Sequence, residues 1–82
     1  MQSHEIRLNY QQATQLVQVG RYQEALEILI ELDVAKPNTE NILYLMAVCH
    51  AKAGHKNEAI TLCERLVTDF DHENAKKILK RL

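Results

Sequence analysis

The 82-residue sequence is poor in the residues that small β-proteins need at their frequent turns. It contains no tryptophan, one proline and two glycines, and only 5% of its residues are aromatic, which argues against a β-sandwich or a small barrel. The longest uninterrupted apolar run, residues 42–49, is far shorter than the roughly 20 residues of a membrane-spanning helix, so no membrane span is predicted. The two cysteines, Cys49 and Cys63, are too few for a disulfide framework and are expected to be reduced.

What the sequence does contain is enough apolar material for a packed core. Hydrophobic residues make up 46% of the chain and charged residues 26%, which predicts one small folded domain over residues 1–82. The first residues show neither a basic segment nor the apolar run of a secretory signal, so cytoplasmic localisation is expected. Residues 1–75 carry six basic and eleven acidic side chains, whereas residues 76–82 carry four basic ones. This acidic body argues against nucleic-acid binding, which needs clustered cations.

The chain repeats itself with a period of 34 residues when residues 6–39 are aligned with residues 40–73. A period in this range is typical of architectures built from stacked supersecondary units. The matched positions include both glycines of the chain and small residues at which helices could approach closely. The identities are Tyr10/Tyr44, Ala13/Ala47, Gly20/Gly54, Glu24/Glu58, Ala25/Ala59 and Leu32/Leu66.

Each repeat shows the apolar spacing of two helices separated by a tight glycine turn, which predicts an all-α fold with about five helices. The second helix is expected from residue 22 to about residue 35, the third to end at residue 53, and the fourth from residue 56 to about residue 70. Their ends are marked by residues that favour caps and turns: Ser3, Gly20, Pro37, Asn38 or Thr39, Gly54, and Asp71 as the N-cap of a short fifth helix.

The third helix is predicted to lie in the middle of the stack. Residues 42–49 are apolar almost all round, and a helix without a polar face is buried on several sides. The first helix instead carries Gln11, Gln12, Gln15 and Gln18, as expected at an end of a stack. The fifth helix should cover the far side.

The segment from Gly20 to Ala25, followed by apolar residues to Leu32 and then Pro37, resembles the tetratricopeptide repeat, a 34-residue helix–turn–helix unit. Residues 54–59 resemble a second copy. The resemblance implies an α-solenoid of antiparallel helix pairs, with repeats at 6–39 and 40–73 and a capping or truncated third-repeat helix at 74–82. In the second copy Lys56 and Asp71 depart from the aromatic and proline of the pattern.

The resemblance also implies a function, because the first helix of each repeat in this family lines a concave groove that binds an extended peptide or a helix of a partner protein. In the first and third helices, residues spaced by three or four positions form one stripe each. The alternative for the two tyrosines is packing inside the stack. The predicted groove residues are Arg7, Tyr10, Thr14, Val17 and Gln18 on the first helix, and Asn41, Tyr44, Val48, Ala51 and Lys52 on the third.

The family's clamp for a ligand's terminal carboxylate is not expected here, since the matching positions lack its cations and asparagine. A ligand with aliphatic anchors is favoured instead. The matching positions are Tyr10, Thr14, Leu45, Ala75 and Leu79.

Chemistry beyond binding has little support in the sequence. No nucleophile–base constellation or glycine-rich phosphate loop is visible, so we predict a non-enzyme without a cofactor. The four histidines and two cysteines match no usual zinc spacing, so no metal site is predicted. His50 takes the place of a family aromatic and is expected to be partly buried and hydrogen-bonded, and a Cys49–Cys63 disulfide is geometrically possible.

Two further alternatives remain open at the level of the sequence. The basic terminal helix, with Lys76, Lys77, Lys80 and Arg81 opposite an apolar face, would suit a membrane surface or an acidic partner. Capping of the second repeat is the favoured interpretation of that face. The leading function is a protein or peptide interaction module, and the alternative is a homo-oligomer that assembles by end-to-end stacking or helix exchange.

Overall fold

The computed structural model describes residues 2–82 and confirms the predicted all-α fold with five helices. These helices are α1 (Ser3–Gln18), α2 (Tyr22–Ala35), α3 (Glu40–Ala53), α4 (Lys56–Phe70) and α5 (Glu73–Arg81). Successive helices pack against each other, so α1–α2 and α3–α4 form two antiparallel pairs joined by short turns. The repeat boundaries at 6–39 and 40–73 stay a prediction.

The two glycines end α1 and α3 in the same way. Gly20 has a φ of 81° and Gly54 a φ of 86°, which is the left-handed conformation that glycine adopts without a Cβ penalty. After each glycine the next residue donates its N–H back into the helix, Arg21 to the Leu16 carbonyl and His55 to the His50 carbonyl, both at 2.8 Å. These bonds satisfy carbonyls at the helix ends, so the predicted glycine stops are confirmed.

The structure corrects the predicted N-cap of α1 and confirms Thr39 as the N-cap residue of α3, although without a side-chain cap bond. Ser3 is the first helical residue rather than the cap, and the preceding Gln2 makes no side-chain cap bond. Thr39 does occupy the N-cap position of α3, but its hydroxyl donates to the Lys36 carbonyl at 2.9 Å. Its side chain therefore stabilises the loop before the helix and does not cap the first N–H groups of α3.

Asp71 was also expected as an N-cap, of α5, and this expectation is wrong. Asp71 is the left-handed C-cap of α4, with a φ of 51°, a conformation that Asp tolerates better than most residues. His72 caps α5 instead, because its Nδ1 accepts the N–H of Ala75 at 3.2 Å. A ring nitrogen here replaces the carboxylate or hydroxyl oxygen that usually caps a helix.

Helix α3 contacts the four other helices and separates two apolar clusters. Its residues Ile42, Met46 and Cys49 belong to the cluster shared with α1 and α2, whereas Leu43 and Ala47 belong to the cluster shared with α4 and α5. The predicted central position of α3 is thus confirmed. Fully burying a leucine-sized side chain contributes about 1.5–3 kcal/mol, so the two faces of α3 hold the stack together.

Helix α5 covers the outer side of the second cluster. Ala75 is fully buried, and Ile78 and Leu79 are half-buried against the same cluster. The short helix thus shields apolar surface of α4, as the capping interpretation expects. Within residues 2–82, no helix is both long and apolar enough to cross a membrane.

Candidate protein-binding groove

The larger apolar concavity beside the predicted stripe lies between α3 and α5. We call it the α3–α5 concavity; it has a volume of about 350 Å³. Its lining residues combine an apolar floor with cations at the edge: Tyr44, Val48, Ala51, Lys52, Ile78, Arg81 and Leu82. The four residues from α3 are predicted groove residues, whereas the two from α5 and the following Leu82 were not anticipated. An apolar floor with a few polar groups is the usual composition of a ligand site.

Other predicted groove residues surround a second, smaller concavity between α1 and α3. This α1–α3 concavity has a volume of about 220 Å³, and Arg7, Tyr10 and Asn41 are among its lining residues. The remaining walls come from the start of α1, from the loop before α3 and from the first turn of α3: Ser3, Ile6, Lys36, Thr39 and Ile42. The predicted stripe is therefore divided between two concavities.

Three predicted groove residues line neither concavity. The Thr14 hydroxyl donates to the Tyr10 carbonyl at 2.9 Å, so its single donor is used within α1. Val17 packs against the first apolar cluster, and Gln18 is exposed at the end of α1. Their spacing places them on one side of α1, but it does not show which part of that side α2 and α3 cover.

Both tyrosines of the stripe are half-buried and pack against the core as well as lining a concavity. Tyr10 contacts the first apolar cluster and Tyr44 the second. The ring of Tyr44 stacks on His72, with centroids 4.6 Å apart and planes inclined by 22°. Each tyrosine therefore both lines a concavity and packs against the core. Packing restricts these side chains, which lowers the entropy cost of presenting their exposed parts to a ligand.

Electrostatics distinguish the cations of α5 from one another. Lys76 forms ion pairs with Asp71 at 2.6 Å and with Glu73 at 3.1 Å, and its hydrogen bond lowers the pKa of the Asp71 carboxyl. Lys52 and Arg81, at the edge of the α3–α5 concavity, have no ion-pair partner within residues 2–82. Their charges remain available to an acidic group of a ligand.

A separate group of polar side chains lies at the turn between α3 and α4. The Nδ1 atoms of His50 and His55 are 3.1 Å apart, and the Glu58 carboxylate completes a set whose ligand atoms all lie within 4.8 Å of one another. Burial and the neighbouring His55 lower the pKa of His50, against an opposing effect of Glu58. The expected partial burial and hydrogen bonding of His50 are confirmed. The grouping itself was missed, although the spacing of the three residues across a glycine turn was a signal for it.

The two cysteines are free and buried, as expected for reduced thiols. They belong to different apolar clusters, Cys49 to the first and Cys63 to the second. Burial raises the pKa of the Cys49 thiol to about 11 and raises the pKa of Cys63 as well. Because the thiolate is the reactive form, burial lowers the reactivity of both thiols, and the side chains pack as small apolar groups.

Comparison with protein families places this geometry in a known context. The sequence model of the tetratricopeptide repeat matches residues 16–82. The chain belongs to the tetratricopeptide repeat family. This match confirms the resemblance seen in the sequence. Repeats of this family generally mediate protein–protein interaction and are non-catalytic modules.

Two larger proteins contain segments similar to this tetratricopeptide repeat chain. Cellulose synthase operon protein C of Xanthomonas axonopodis pv. citri (strain 306) is 41% identical over 66 residues, which are 77% of this chain and 4% of that protein. Rhomboid protease GluP of Bacillus subtilis (strain 168) is 34% identical over 73 residues, which are 89% of this chain and 14% of that protein. The chain thus spans a small part of the length of these curated relatives. No solved structure matches it.

The departures from the tetratricopeptide pattern are accommodated at helix ends. Lys56, at the position of the family aromatic, is the exposed first residue of α4. Asp71, at the position of the closing proline, ends α4 in the left-handed conformation. Tyr22, at the matching position of the first repeat, packs against the first apolar cluster, whereas Lys56 and Asp71 belong to neither cluster. Other residues therefore hold the second helix pair together.

Proposed function

We propose that this chain is a non-enzymatic interaction module that binds an extended peptide or a helix of a partner protein along α1 and α3. The observation that carries the proposal is the α3–α5 concavity, in which an apolar floor lies beside Lys52 and Arg81. An aliphatic anchor of the ligand would occupy the floor, and an adjacent acidic group would pair with the cations. The α1–α3 concavity would receive a second part of the same ligand.

The matched segments of the relatives are consistent with a binding role. In both, the similar segment is a small part of a much longer protein. A short repeat segment that recurs in proteins with such different names is consistent with a module that binds other chains. Cellulose synthesis and rhomboid proteolysis appear only in the names of the two relatives. Neither activity is proposed for this chain.

The proposal is tested by identifying a bound partner through affinity capture and then measuring the affinity of its peptide by fluorescence anisotropy. Replacing Lys52 or Arg81 by Glu should weaken the affinity for an acidic peptide by about tenfold, which is equivalent to about 1.4 kcal/mol of binding free energy. The matched control is Lys77→Glu, which makes the same charge change at an exposed position of α5 outside the concavity. Equal affinities of the three variants would show that the groove assignment is wrong.

Self-assembly remains a second candidate because α2 exposes large apolar side chains. Ile30 is 50% and Val34 77% exposed, and their spacing of four residues places them on one face of the helix. A second copy could cover this face. Light scattering over a range of protein concentrations tests the idea, with an Ile30→Ser and Val34→Ser double variant as the monomeric reference. A chain that stays monomeric at the highest concentration would exclude it.

A further inference from the structure

The turn between α3 and α4 brings together three side chains that the groove does not use. His50 lies in the last turn of α3, His55 directly precedes α4, and Glu58 lies in the first turn of α4. Each offers one ligand atom, and the three atoms lie within 4.8 Å of one another. The set therefore contains two imidazoles and one carboxylate.

The backbone holds the two histidines at a fixed separation. Gly54 turns the chain with a φ of 86°, and the His55 N–H donates to the His50 carbonyl at 2.8 Å. The backbone carbonyl of His55 then accepts the N–H of Ala59 at 3.0 Å, in the first turn of α4. The side chains thus project from the ends of two packed helices rather than from a long loop, which suits a site that needs defined geometry.

The distance between the two ring nitrogens fits coordination of one metal ion. Zinc–nitrogen bonds of 2.0–2.1 Å with tetrahedral angles place two nitrogen ligands about 3.3 Å apart. The Nδ1 atoms of His50 and His55 are 3.1 Å apart, with their rings tilted by 50° instead of stacked. In the absence of an ion this contact requires one nitrogen to carry a proton toward the lone pair of the other. An ion would use both lone pairs at once.

The remaining surroundings also favour an ion. Glu58 has no Lys or Arg partner within residues 2–82, so its carboxylate is available as a ligand. Beside the histidine and the carboxylate lies an open cavity of about 330 Å³, which Asn57, Thr61 and Leu62 also line. This volume leaves room for water at a fourth coordination position, as in zinc sites with three protein ligands.

We propose that His50, His55 and Glu58 bind one divalent transition-metal ion, with Zn²⁺ as the ion that the donor set suits best. Imidazole ligands favour Zn²⁺, Ni²⁺ and Cu²⁺ over Mg²⁺ and Ca²⁺, which prefer oxygen ligands only. Since the ligands come from both sides of the turn, a bound ion connects the end of α3 to the start of α4. Because the ion binds the folded state alone, it raises the unfolding free energy, and the gain grows with the logarithm of the ion concentration once this exceeds the Kd.

The test is a titration of the 82-residue chain with Zn²⁺ at pH 7.5, followed through competition with a chromophoric chelator. One ion per chain is expected, and His55→Asn and Glu58→Gln should each weaken binding by about tenfold or more. The matched control is His4→Asn, which removes an exposed histidine of α1. Mg²⁺ should not compete. Circular dichroism checks that each variant is folded, and Glu58→Gln preserves the test if His55→Asn does not fold.

Two additional readouts separate this site from unspecific binding to histidine. Nitrogen-15 NMR of the imidazole rings should show Nδ1 coordination at His50 and His55, with the proton on Nε2, and no change at His4 or His72. Zn²⁺ should raise the melting temperature of the original chain and of His4→Asn but not of His55→Asn. The proposal would be overturned if His55→Asn and Glu58→Gln both bound Zn²⁺ as tightly as the original chain. It would also be overturned if Zn²⁺ changed the NMR signals of His4 or His72 before those of His50 and His55. The absence of one-to-one binding would overturn it as well.

Discussion

Helix α5 offers the sharpest test of how a chain with two helix pairs is stabilised. Ala75 is fully buried, and Ile78 and Leu79 are half-buried against the cluster formed by α3 and α4. If α5 serves as a cap, replacing Ile78 and Leu79 together by Ser should destabilise the chain without any lipid present. If its apolar face instead serves a membrane surface, the same double change should leave the melting temperature unchanged.

The expected magnitude follows from the burial of the two side chains. Full burial of Ile or Leu contributes about 1.5–3 kcal/mol, and half-burial about half of this. The double variant should therefore lose about 1.5–3 kcal/mol of unfolding free energy. For a domain of this size, each kcal/mol shifts the melting temperature by roughly 4–8 °C, so a decrease of about 6–24 °C is expected.

The assay is thermal unfolding followed by circular dichroism at one protein concentration. Lys77→Ser is the matched control, because it introduces the same residue at an exposed position of the same helix. Its melting temperature should change by no more than about 2–4 °C, from helix propensity alone. A double variant that melts with this control would refute the capping role. Co-sedimentation with anionic vesicles would then test the membrane alternative.

Three other perturbations address single features of the fold. Gly54→Ala should cost about 1 kcal/mol in urea unfolding, because the left-handed φ of 86° disfavours a Cβ that otherwise meets no atom within 4 Å; a loss above about 3 kcal/mol would contradict this. His72→Ala should cost about 1 kcal/mol by removing the N-cap of α5, and an unchanged stability would argue against that cap. Lys76→Gln should destabilise the chain at pH 7 but not well below the folded-state pKa of Asp71. Because Lys76 lowers that pKa, the stabilisation is present above the ordinary value of 3.8 and is lost as the pH falls through the folded-state value; urea melts at both pH values measure it, and an equal loss at both would contradict the pairing.

The helices and their stacking order were predictable because they depend on local spacing and on repetition. Gly20 and Gly54 mark turns that only a residue without Cβ adopts easily, and their separation of 34 residues indicates the repeat. Residues 42–49 are apolar on nearly all sides of the helix, and each apolar face must be buried by a neighbour, so this segment predicted the central helix. Information of this kind is carried by neighbouring residues in the chain.

The cap at Asp71 and the shape of the groove were less predictable because they depend on contacts between distant elements. Asp71 is the plausible N-cap by residue type, and the use of His72 instead accompanies the stacking of its ring on Tyr44 of α3. The packing of α5 also adds Ile78 and Arg81 to the lining of the α3–α5 concavity. The spacing of residues along α3 alone could not predict these two residues. The grouping of His50 with residues of α4 likewise requires the conformation of the turn.

Helix α3 carries both proposed sites but presents them on different sides. Val48, which lines the α3–α5 concavity, and His50, at the turn, are two positions apart and therefore about 200° apart around the helix axis. Core residues of the two apolar clusters occupy the directions between them, so a ligand at one site does not contact the side chains of the other. The two proposals consequently stand or fall separately. Loss of zinc binding in His55→Asn bears only on the turn, and loss of peptide binding in Lys52→Glu bears only on the groove.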